Sequence, residues 1–410
     1  GILTKSPNRA RLISVKTSPT ENMVDNSTNN YRARSRMLDV IRKSAPVTRP
    51  ALAKETRLTS AAVGLHVASL LDEGLIEEVG YGESIGGRMP VKIDIARKSN
   101  CTLGVALHDG ELLGNVADFG DHSLFMRRER MRPRDTRQQI LDSLDQIVEQ
   151  ALGLIAKHQL RQRHCVVAIS GHLDAQTGRI IDSVHFPKLN NFDVREHLLK
   201  QFNLQCEAVY VTHAVFCGVL EGVMRNEHVG LISWNTGVGW TQARGENLQF
   251  TNANPGVRRI SHLKIRPDGG RACHCGRSGC LESELGGLAI LQRLAETGEA
   301  KYAHLDLPGL AALAQAADPT VVEMLSGCAR ELGQHLAPAV FLSGAKYLRI
   351  ETCLGLDHAV LVRNLKQGLA QCMHADQIDA LDIAVVPDAD AALLKGVCRL
   401  ARGIFFDGGM

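Results

Sequence analysis

Aromatic side chains are scarce in this chain. Phenylalanine, tryptophan and tyrosine make up only 4% of its 410 residues, so its core has to be built from aliphatic groups. Long apolar runs are also missing. None approaches the roughly 20 residues a membrane-crossing helix requires, so membrane insertion is not expected. The opening Gly1-Ile-Leu-Thr-Lys5 lacks the apolar block and small-residue cleavage site of a secretory signal, and a cytoplasmic location is expected. There is no internal repeat and no low-complexity tract. Eleven cysteines are present, but in a cytoplasmic chain of this size they are not expected to form a disulfide framework. Several, such as Cys165 in Cys165-Val-Val-Ala-Ile169, read as buried reduced thiols.

With 44% hydrophobic and 22% charged residues, the chain has the composition of a soluble globular protein, and its length allows two or three domains. The net charge of +3 is unevenly spread: residues 1–100 hold 16 lysines and arginines against 10 acidic residues. A basic front end on a slightly acidic body points to a polyanion as partner of the front end alone.

The most informative run extends from His262 to Glu282. It contains Cys273, Cys275 and Cys280, and three thiols with an upstream imidazole are the donor set of a closed Cys3His zinc site. Gly276 and Gly279 allow the tight turns that would let thiolates close in sequence face one ion. Four protein donors leave no position open for a reactive water, so a structural zinc is expected.

Periodicity divides the chain. Residues 1–30 read as a flexible basic arm. Residues 31–98 read as three short helices followed by two strands around a glycine-rich tip, which is the pattern of a winged helix-turn-helix. Met37, Leu38 and Ile41 share a face of the first helix; Thr48 can cap the second, and Thr59 or Ser60 the third, whose buried stripe is Val63, Val67 and Leu70. From residue 101 strands and helices alternate as in α/β proteins. One α/β lobe is expected over 99–225 plus 386–410, and a second, with the zinc loop and oligomerisation helices, over 226–385.

Three stretches together resemble one family: the helix-turn-helix Val47-Thr-Arg-Pro-Ala-Leu-Ala-Lys-Glu-Thr-Arg-Leu-Thr-Ser-Ala-Ala-Val63, the linker Gly86-Gly-Arg-Met-Pro90, and the metal loop ending Gly279-Cys-Leu-Glu282. The family is ROK (repressors, open reading frames and sugar kinases), and the chain is similar to its repressor branch of the Mlc and NagC type. The resemblance implies a two-lobed, actin-like (ribonuclease H-like) sugar-kinase fold behind the winged helix. It implies a homodimer or homotetramer that binds a double-stranded DNA operator, represses carbohydrate genes, and responds to a sugar, a sugar phosphate or a protein partner.

The same resemblance argues against kinase activity. Family kinases carry Asp-x-Gly-Gly-Thr on the first hairpin, where this chain has Ala106-Leu-His-Asp-Gly110. Their catalytic Asp is matched by His213 in Val211-Thr-His-Ala214, and the Gly-Gly expected near Arg349-Ile-Glu-Thr352 is missing. The glycine turn Thr236-Gly-Val-Gly239 is retained. A sugar-binding Glu of the family is replaced by Arg259, while His262 and Glu282 are kept. His213, Arg259, His262 and Glu282 are therefore the expected ligand contacts, with Arg259 and His213 suited to an anionic sugar. A divergent kinase using His213 as base is the alternative. On DNA, Thr59, Ser60, Ala61 and Ala62 would open the recognition helix, Arg49 would reach phosphate, Arg88 would enter the minor groove, and His66 would face the major groove.

Overall fold

The computed structural model describes residues 19–82, 89–174, 177–222, 224, 227–244, 257–258 and 260–408. The chain divides between Ala96 and Arg97 into two compact units.

The first unit contains α1 (Pro19–Ser44), β1 (Val47–Thr48), α2 (Arg49–Thr56), α3 (Ser60–Asp72), β2 (Ile76–Tyr81) and β3 (Val91–Ile95). Met37, Leu38, Ile41, Leu52, Val63, Val67, Leu70 and Ile93 form its buried centre. Thr48 accepts a hydrogen bond from the Ala51 amide, with Pro50 in the first turn of α2, and Arg57 ends that helix in a left-handed conformation. Thr59, rather than Ser60, caps α3 by accepting from the Ala62 amide at 3.2 Å. The strands pair antiparallel in the order β1-β3-β2. One expectation is corrected. Residues 19–30, read as part of a flexible arm, belong to the backbone of α1.

The second unit begins with β4 (Asn100–His108), β5 (Glu111–Asp118), β6 (Ser123–Arg130), α4 (Arg137–Lys157), β7 (Arg161–Ile169), β8 (His172–Leu173), β9 (Ile180–Asp182), α5 (Val194–Phe202), β10 (Glu207–Tyr210) and α6 (Val211–Val219). It continues with β11 (His228–Trp234), β12 (Val238–Arg244), β13 (Val257–Arg258), α7 (Leu281–Leu285), α8 (Gly287–Ala295), α9 (Leu307–Gln315), α10 (Pro319–Ser343), β14 (Tyr347–Thr352), α11 (His358–Leu369), α12 (Ala375–Asp379), β15 (Asp382–Val385) and α13 (Ala389–Gly408).

Two five-stranded sheets organise this unit, β10-β7-β4-β5-β6 and β13-β12-β11-β14-β15. Each is an antiparallel meander of three strands extended by two parallel ones. The topology is therefore repeated although no sequence repeat is visible, and it is the two-lobed, actin-like arrangement. Every residue of β4 is buried, as a central strand covered on both faces requires. The closing helix α13 returns to the first sheet, packing on β4, β5, β7 and α6. Its crossing with α6 depends on Gly218 and Gly396. A Cβ on either would lie within 1.8 Å of a carbonyl oxygen of the facing helix, Ala392 or Ala214 respectively.

Candidate functional site

The metal loop is built from local turns. Gly276 and Gly279 adopt φ of 84° and 72°, the left-handed region that glycine occupies without a Cβ penalty. Isolated bridges, Lys264 with Cys280 and Ala272 with Ser278, close the loop on itself. The ligand atoms of His262, Cys273, Cys275 and Cys280 all lie within 4.8 Å of one another. Cys275 Sγ is 3.7 Å from Cys280 Sγ, and Cys273 Sγ is 3.5 Å from His262 Nδ1. Tetrahedral donors on metal–sulfur bonds of ~2.3 Å would stand ~3.8 Å apart, so the group fits an ion of zinc's size. Arg277 beside Cys275 brings that thiol down to about 6, while burial pushes Cys273 up to about 12. Binding an ion would require all three as thiolates.

Beside this loop a cleft of about 1690 Å³ opens between elements of both sheets. From the metal loop and α7 come His262, His274 and Glu282. Glu282 rests against the β11–β12 turn, where a Cβ on Gly237 would sit 2.3 Å from its Oε2. Burial raises the pKa of Glu282, partly offset by His274, whose Nδ1 is 3.3 Å from Glu282 Oε1. His274 therefore turns toward the cleft rather than toward the cysteines.

The rest of the polar lining was not singled out from sequence. Asp109, at φ 49° in the β4–β5 turn, stands 3.4 Å from His108 Nε2 and 3.3 Å from His185 Nε2. His185 Nε2 also lies 3.0 Å from Thr236 Oγ1, which joins the first sheet's side of the cleft to the second's. Burial lowers the pKa of His185, with Asp109 acting in the opposite direction. Glu351 is fully buried behind the turn, paired with the Asn235 side-chain amide, and burial raises its pKa. Asn235 Oδ1 accepts from the Cys353 amide at 2.7 Å. The signal that could have found His108 and Asp109 was the hairpin stretch Ala106-Leu-His-Asp-Gly110 itself.

Two expected contacts fare differently. His213 does not line the cleft. It is 5% exposed and burial brings it down to about 4. Adjacent residues on a helix point about 100° apart, and α6 turns Thr212 to the cleft while His213 goes inside with its ring edge on Tyr210. Arg259 lies outside the described residues.

Residues 115–402, most of the chain, match the model of the ROK family. This chain belongs to the ROK family. Among curated relatives, it is 27% identical over 327 residues to the DNA-binding transcriptional dual regulator NagC of Escherichia coli K12, spanning 76% of this chain and 77% of that protein. It is 23% identical over 291 residues to the xylose repressor of Bacillus subtilis 168, spanning 68% and 71%. Among solved structures, a ROK family transcriptional regulator described as a homologue of E. coli Mlc superposes with a TM-score of 0.75 at 20% identity, over 92% of this chain and 97% of that one. A ROK hexokinase from Thermus thermophilus superposes with a TM-score of 0.58 at 20% identity, over 74% of this chain and 98% of that one.

The ROK chain's first unit presents its own candidate face. Thr59, Ser60 and Ala61 are exposed at the start of α3, and Ala62 is half-buried. Arg49 donates to Glu78 Oε1 at 3.1 Å and is thereby partly neutralised. His66 is half-buried, and burial together with Arg34 lowers its pKa. Arg88 lies outside the described residues.

Proposed function

We propose that this ROK protein is a cytoplasmic DNA-binding transcriptional regulator, a repressor of carbohydrate-uptake or metabolism genes, which senses a sugar or sugar phosphate in its cleft and does not phosphorylate it. The observation that carries the reading is a capped three-helix unit with a wing, and an exposed third-helix start, in the same chain as a sugar-kinase-like cleft. The names of the relatives agree with it, since they are transcriptional regulators of the sugar type.

Phosphoryl transfer to a sugar needs a base at the attacked hydroxyl. The residue matched to the kinases' Asp is His213, which is neutral and buried away from the cleft, while its neighbour Thr212 faces the cleft. Glu282, with His274, supplies the acceptors that sugar hydroxyls need. The ion proposed for the four donors is Zn2+ in a structural role, closing the loop that carries Glu282. We further propose a homo-oligomer, a dimer or tetramer, in which the effector shifts affinity for DNA through its unequal affinity for two states of the cleft. A protein partner acting without a small ligand is the other form of control.

Two measurements test the reading. Duplex DNA selected from a random pool by the purified protein should converge on one site and be released by a sugar or its phosphate, which a thermal-shift screen would identify. A coupled ATP assay across hexoses should stay at background, and sustained turnover would overturn the non-kinase part.

A further inference from the structure

The exposed face of α3 is chemically unusual for a helix that would read DNA. Residues three and four apart share a helix face, and the outward stripe here runs through Ala61, Leu65 and Ala68 with Gly64 beside it. Leu65 is 75% exposed. A Cβ on Gly64 would meet nothing within 4 Å, so no internal packing demands a glycine there. Between Ser60 and Asp72 at its two ends, the polar side chains of α3 are occupied or set aside. Ser69 is bonded to Glu73 and Arg34, and His66 is half-buried off the stripe. The stripe thus lacks the arginine, lysine, asparagine and glutamine groups that make bidentate bonds to purines.

One group on the major-groove edge of DNA matches such a face, the 5-methyl of thymine. The surroundings suit DNA rather than a protein partner. Lys54 and Arg57 are exposed just ahead of α3, where they can take phosphate. We propose that α3 recognises thymine through its methyl group, with Leu65 as the contact residue and Gly64, Ala61 and Ala68 keeping the helix surface low enough for a close approach. The inference rests on the DNA-binding reading above and adds the chemistry of the base that is read.

Deoxyuridine tests it cleanly, because it differs from thymidine only by that methyl. The full-length protein is used to select sites from a random duplex pool. Each thymine of the best site is then replaced in turn by deoxyuridine, and binding is measured by anisotropy. At one or two positions per half-site the wild type should bind about fourfold more weakly, the effect of one buried methyl. Leu65→Ala should bind both versions equally, and Leu65→Met should keep the preference. Indifference of the wild type to every replacement overturns the inference while leaving DNA binding intact. So does a preference that survives Leu65→Ala. A fall in oligomeric mass of Leu65→Ala by sedimentation would mark the stripe as a contact between copies and overturn it as well. Failure to enrich any DNA overturns the DNA-binding reading, and this inference with it.

Discussion

Two parts of the cleft lining are built on different principles. The metal loop brings four donors together from 19 consecutive residues, held by two backbone bridges and four left-handed glycines, Gly269, Gly270, Gly276 and Gly279. The part formed by the β4–β5 turn and its neighbours draws on residues 108–109, 185, 235–236 and 351, which meet only when two sheets are in place. The first can assemble from local chain geometry around an ion. The second depends on paired carboxylates, imidazoles and amides, each of which is costly to bury alone.

Loss of the metal should have the greatest consequence. Cys280→Ser, or prolonged chelation, should reduce bound zinc from about one ion per chain to none, since four donors are needed for a closed site. Elemental analysis would show it. Effector affinity should fall with it, because Glu282 follows Cys280 by two residues. Metal-free protein of unchanged stability and ligand affinity would show that the loop holds its side of the cleft without an ion.

A smaller effect concerns His213 behind the cleft. Its folded pKa is held at about 4 by burial, below the ~6.5 of an unfolded chain. The unfolded state therefore binds more protons between these values, and stability is fully present above pH 6.5 and is lost as pH falls toward 4. The loss should reach about 3 kcal/mol at the lower limit. Urea denaturation between pH 7 and 4 should show that slope, flattened in His213→Gln. A slope unchanged by the substitution would mean the proton is taken up elsewhere.

A smaller loss is expected on the side of the cleft that draws on both sheets. Asn235→Ala removes the amide that bonds the buried Glu351 and the acceptor of the Cys353 amide. It should cost about 2 kcal/mol of stability, measured by denaturant unfolding, while leaving the zinc content at its normal value. Loss of metal in this variant would show that the two parts are not independent.

What could be read in advance follows the same line. The capping of α2 and α3 by Thr48 and Thr59 was legible because a cap needs only the next three residues. The grouping of His262 with Cys273, Cys275 and Cys280 was legible because metal-donor types at that spacing are drawn together by short turns. The inward orientation of His213 was not legible, because its position in a motif says nothing of helix phase. The phase of α6 is set by its packing against α13, where Gly218 and Gly396 permit close approach. His108, Asp109 and His185 were passed over because their pairing bridges 76 residues of chain.

By itself the sequence determined the local devices of this ROK protein: its capped helix-turn-helix, its glycine turns and its Cys3His donor set. Each depends on groups close enough in the chain to find one another without a fold. The tertiary structure alone decided that two sheets share one topology, that α13 closes the first of them, and that Asp109, His185, Thr236 and Glu351 gather around one cleft. Those outcomes depend on burying aliphatic faces against partners distant in sequence, which a short window of residues cannot specify.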